Sequence, residues 1–127
     1  MADCVITGLG QIAINVHDLS RAKHFYGQLL GLPHLFDAGP ALAFFQCGDV
    51  RLMLSIPETR EFDHPASILY YRVTDIHASY RDLAAKGVHF EDAPHLIAPL
   101  PEYDLWMAFA RDTEGNLLGL MAEMMKG

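Results

Sequence analysis

Seven histidines and two cysteines carry most of the ligand and nucleophile chemistry open to this chain. His17, His24, His34, His64, His77, His89 and His95 are scattered. No His-Glu-x-x-His pattern and no cysteine pair brings two donors onto one helix face or loop. His24 and His77 fall in helical stretches at positions that read as exposed. His17 falls at a strand-to-helix corner, and His64 and His95 in proline-containing segments. Each is expected to be solvated or locally bonded. Neither a Gly-x-Ser-x-Gly nor a Cys–His nucleophile pattern is present, so Cys47, at a strand end, reads as a packed thiol. Gly8-Leu9-Gly10-Gln11-Ile12-Ala13 has the spacing of a dinucleotide-binding turn, but that turn needs a helix after it and here a strand follows. Motifs alone therefore assign no catalytic residue.

The elements that would position these side chains come in two similar sets. Ile12, Ile14 and Val16 alternate with Gln11, Ala13 and Asn15, the period of a half-buried strand. Asp18 and Ser20 offer oxygens to cap a helix carrying Ala22, Phe25, Tyr26 and Leu29 inward, and Gly31-Leu32-Pro33 stops it. Strands are predicted over 34–37, 41–47 and 50–55, the last two turned by Gly48-Asp49. Val73-Thr74-Asp75-Ile76 then repeats Val16-His17-Asp18-Leu19 about half a chain later. It joins a strand over 68–73 to a helix over 75–86 that buries Ile76, Tyr80, Leu83 and Ala84. A short strand over 88–91 and a final hairpin, 103–111 with 117–122, complete the second set. Residues 93–102, with Pro94, Pro99 and Pro101, read as a long ordered loop. The expected organisation is one domain, 1–127, with a first module at about 5–56, a link at 57–66 and a second module at about 67–124.

The totals limit the partners. A formal charge of −7 leaves no basic surplus for phosphates, which excludes nucleic acid and anionic membrane as expected partners. No apolar run approaches the length of a bilayer span. The first ten residues show no basic segment followed by an apolar run, and Cys4 and Cys47 read as free thiols, so a cytoplasmic location is expected.

The chain resembles the vicinal-oxygen-chelate superfamily, the group of the glyoxalases, bleomycin-resistance proteins and extradiol dioxygenases. The resemblance rests on V16-H-D-L-x-x-A22 with F25-Y26-G-x-L-L-G31-L32, on V73-T-D-I76, and on R111-D-T-E-G-N-L117, together with the two-module order. It implies an α+β fold of two βαβββ modules forming a cup-shaped mixed sheet with helices outside, and a homodimer. It also implies a divalent metal in the cup, held by His, Gln or Glu from the first and last strands of the modules. Position by position, the resemblance puts Gln11, Met53, Ile68 and Gly119 at those ligand sites. Only Gln11 among them is a plausible donor, so no metal and no other cofactor is expected.

What the resemblance leaves is a cup lined by Met53, Ile68, Tyr70 and Gly119 beside the polar Gln11, Asn15 and Arg51. Trp106 joins the candidates, although the unbroken apolar run over 105–110 does not assign it a face. The implied function is that of a metal-independent glyoxalase- or bleomycin-resistance-like protein binding a small apolar or aromatic molecule, with the space at Gly119 as part of the site. The acidic charge suits a cationic ligand. The rival reading is a glyoxalase-like lyase, isomerase or thiol transferase that holds a divalent metal through unconventional ligands. A third is an accessory dimer without a ligand.

Overall fold

The computed structural model describes residues 6, 8–65 and 67–126, so Cys4 lies outside the described residues. The chain divides into two compact units at residues 64 and 65, and each is an α+β unit with its own sheet.

In the first unit, β1 (Gln11–Asn15) leads to α1 (Leu19–Lys23), followed by β2 (His34–Ala38), β3 (Leu42–Cys47) and β4 (Val50–Ser55). The sheet runs in the order β1-β4-β3-β2, with β1 parallel to β4 and the other pairs antiparallel. Asp18 caps α1, its Oδ1 accepting from the amide of Arg21 at 3.1 Å, while Ser20 lies inside the helix. After one α turn the helix widens into a π segment, His24–Leu29, closed by Leu30 N donating to Phe25 O at 2.9 Å. The widening lets two adjacent rings, Phe25 and Tyr26, both turn inward, where they meet edge to face at 5.0 Å. Ile14, Ala43, Phe45, Leu52 and Leu54 are buried, and α1 packs on β3 and β4. Gly27 permits that packing, because a Cβ there would stand 3.0 Å from the Phe45 ring. Strand alternation puts Gln11, Ala13, Asn15, Arg51, Met53 and Ser55 on the opposite, open face.

The second unit repeats the plan with β5 (Leu69–Arg72), α2 (Ile76–Ala85), β6 (His89–Phe90), β7 (His95–Pro99), β8 (Tyr103–Arg111) and β9 (Leu117–Met125). β5 runs parallel to β9 as β1 does to β4, and Asp75 caps α2 through the amides of His77 and Ala78 at 3.0 and 3.1 Å. Asp18 and Asp75 thus hold equivalent junctions. The core gathers Ile76, Ala108, Leu120 and Ala122. The β8–β9 turn is built on Asp112, the one buried charged residue among those described. Its carboxylate accepts from the amides of Glu114 and Asn116 at 2.8 and 2.9 Å and from Asn116 Nδ2 at 3.1 Å. The Arg-Asp-Thr-Glu-Gly-Asn sequence is accordingly turn chemistry.

One expectation is corrected. Residues 95–99, read as loop, form β7 on the edge of β8, next to the short β6 on the same edge. Proline is tolerated at the end of an edge strand because its missing N–H faces no partner, so Pro99 did not forbid pairing. Residues 57–64 belong to the first unit, with a 3-10 turn at Arg60–Phe62, and fold back onto its sheet.

Candidate functional site

The open face of the first sheet carries four of the candidate residues. Arg51 pairs in register with Gln11, and its Nε donates to Gln11 Oε1 at 2.9 Å. The other end of that amide, Nε2, meets Met53 Sδ at 3.6 Å. The Gln11 side chain is therefore held at both ends by protein groups. The guanidinium carbon lies 5.2 Å from the centroid of Phe44 and 6.0 Å from that of Phe36, and these two rings stack at 4.5 Å. Phe36 and Phe44 were not among the sequence candidates. Phe44 was within reach of the strand phases, since it is the cross-strand partner of Met53.

Beside this cluster a cavity of about 520 Å³ opens over Ala13, Leu42 and Met53, with Asn15 and Ser55 at its floor and Phe62 and His64 at its roof. Asn15 Nδ2 donates to the backbone carbonyls of Phe62 and His64, the latter at 3.0 Å. The returning strap is tied a second time by His17 Nε2 and Asp63 Oδ1 at 3.0 Å. Asn15 is thus a pin for the roof. His64 does line the cavity. Glu58, exposed at the rim, is the one carboxylate among the lining residues.

The remaining candidates lie in the second unit. Gly119 pairs between Tyr70 and Phe109, whose rings meet edge to face at 5.9 Å. A Cβ at Gly119 would stand 2.8 Å from Tyr70 Cδ2 and 3.3 Å from Phe109 Cε1. The space expected at Gly119 is taken up by the Tyr70 ring in this structure. Ile68, ahead of β5, is exposed. Trp106 belongs to the α2 side of β8, packed on the core and edge to face with His77 at 4.9 Å. Its place is structural, which removes it from the open-face set. His95 pairs in register with Met107, its ring 6.4 Å from Phe109.

Electrostatic perturbation is confined to the margins. Lys23 and His34, both hydrogen-bonded to Asp37 at 2.8 Å, hold its carboxyl below the usual range. Burial pushes the Cys47 thiol up, which keeps it in the unreactive protonated form at neutral pH. Among the described residues, no three His, Cys, Asp or Glu side chains converge as a metal site would require.

The profile of the Glyoxalase/Bleomycin resistance protein/Dioxygenase superfamily matches residues 8–120, and the chain belongs to that superfamily. Uncharacterized protein YraH of Bacillus subtilis (strain 168) is 29% identical over 121 residues, covering 85% of this chain and 92% of that protein. A superfamily member from Sphaerobacter thermophilus DSM 20745 superposes with a TM-score of 0.77 at 22% identity, over 94% of this chain and all of that one. Lactoylglutathione lyase from Agrobacterium tumefaciens gives 0.73 at 19% identity, over 92% and 94%. At such identities the structures establish the shared fold. No helix among the described residues is long and apolar enough to cross a membrane.

Proposed function

We propose that this chain is a small-molecule-binding member of its superfamily with a degenerate metal site, taking an apolar or aromatic ligand on the open face of the first sheet. The observation that carries the reading is the roofed cavity of about 520 Å³ over Met53, with a mainly apolar lining and a few polar groups at its edge. An apolar ligand gains on the order of 25 cal/mol per Å² of apolar surface it buries there.

The side chains present do not fit a divalent metal. Gln11 Oε1 already accepts from a guanidinium, and a dication beside that cation would be repelled as well as desolvated. Met53 supplies a thioether, which favours soft ions, and Gly119 supplies no donor and sits under the Tyr70 ring. We also propose a homodimer, as the family resemblance implies, acting in the cytoplasm.

The reading is tested by thermal melting with 3-phenylpropan-1-ol and 2-naphthol at millimolar concentration. Both are expected to raise Tm, and Ala13→Trp, an exposed position on the cavity wall, is expected to abolish the rise. No shift in the wild type, or an equal shift in Ala13→Trp, overturns it. Stoichiometric zinc, nickel, manganese or iron at Gln11, in protein never exposed to a metal column, would establish the metal-dependent lyase or isomerase reading instead.

A further inference from the structure

We infer that Arg51 is an oxyanion receptor, so that the ligand is a small organic carboxylate whose apolar body runs over Phe44 and Met53 toward the cavity. The inference rests on the small-molecule reading above and narrows it to one ligand charge.

Four observations support it. First, Nε of Arg51 is engaged by Gln11, which leaves the two terminal amino groups, the edge that matches both oxygens of a carboxylate. Second, no carboxylate among the described residues pairs with Arg51. Elsewhere Arg111 pairs with Glu91 and Lys23 with Asp37, each at 2.8 Å. In a chain with 16 acidic and 9 basic residues, an arginine whose polar partner among the described residues is a neutral amide has no counter-charge to displace when an anion arrives. Third, the guanidinium is oriented before any ligand arrives, by Gln11 in its plane and by Phe44 and Phe36 through cation–π attraction. Fourth, Met53, which lines the cavity, follows Arg51 by two residues on the same face of β4, about 7 Å along the strand. A phenyl ring and a short linker span that interval. If Glu58 at the rim set the ligand charge instead, the ligand would be an amine.

The test is calorimetric titration at low salt with three probes of one shape: 3-phenylpropionate, 3-phenylpropan-1-ol and 3-phenylpropylamine. The carboxylate is expected to bind at least about tenfold tighter than the alcohol, and the amine weakest. In Arg51→Met the carboxylate and alcohol are expected to become equal in affinity. Gln11→Glu, which neutralises the guanidinium in place, is expected to remove the same preference. The inference is overturned if the carboxylate is no tighter than the alcohol, if the amine is tightest, or if either variant keeps the wild-type preference. Alcohol binding without a charge preference leaves the small-molecule reading standing alone. Binding of none of the three removes both.

Discussion

The ring of Tyr70 occupies the volume that a side chain at Gly119 would need, with Cδ2 2.8 Å from the ideal Cβ position. The glycine thus seats an aromatic ring of its own chain. Gly119→Ala is expected to displace Tyr70 and to cost about 1–3 kcal/mol, as overpacking does. Because Tyr70 is half exposed, it can swing out, and Tyr70→Ala is expected to relieve most of that cost. Urea denaturation of the two single variants and the double variant measures the coupling. Additive losses would show that the ring does not depend on the glycine.

Asp112 makes the second prediction. Its buried carboxylate satisfies two backbone amides and the Asn116 side chain. Asp112→Ala leaves those donors without their acceptor and is expected to destabilise by about 2–4 kcal/mol, whereas Asp112→Asn keeps one acceptor oxygen and loses less. Chemical denaturation midpoints at constant slope check the order.

The roof over the cavity depends on Asn15. Asn15→Ala removes both bonds to the strap, and tryptic cleavage after the exposed Arg60 is expected to accelerate several-fold with little change in global stability. Equal cleavage rates would mean that the strap is held by other contacts.

Asp37 gives a pH dependence of defined sign. Its folded-state pKa is depressed, by Lys23 first and then His34. The stability it adds is therefore full above the ordinary value of 3.8 and is lost as pH falls through the lower folded value. The Tm difference between wild type and Asp37→Asn is expected to hold above pH 3.8 and to be lost as pH falls below it through the lower folded value. A difference that grows on acidification contradicts the assignment.

Local physics made much of the fold legible. Val50–Ser55 alternates cleanly and its bounds were read correctly, as was the Asp18 cap, which acts within three residues of sequence. Trp106 was not legible because every residue from Leu105 to Ala110 is apolar. The faces separate only through size: Ala108 and Ala110, both buried, mark the side on which α2 lies. β7 was hidden by prolines that an edge strand tolerates. The candidate site was half legible. Gln11, Arg51 and Met53 share one face, as strand phase requires, but the filling of Gly119 by Tyr70 depends on pairing across β5 and β9.

The strap that covers the cavity is also the connection to the second unit. With His64 held by Asn15, four residues, 65–68, remain before β5 begins at Leu69. That is at most about 14 Å of extended chain. If the strap lifts from Pro57 onward, the stretch between the last pinned residue and β5 becomes 57–68, roughly three times as long. A molecule that props the roof open therefore lengthens that stretch, and one that seals it keeps it short. Occupancy of the cavity is thus written into the length of chain left unpinned ahead of β5.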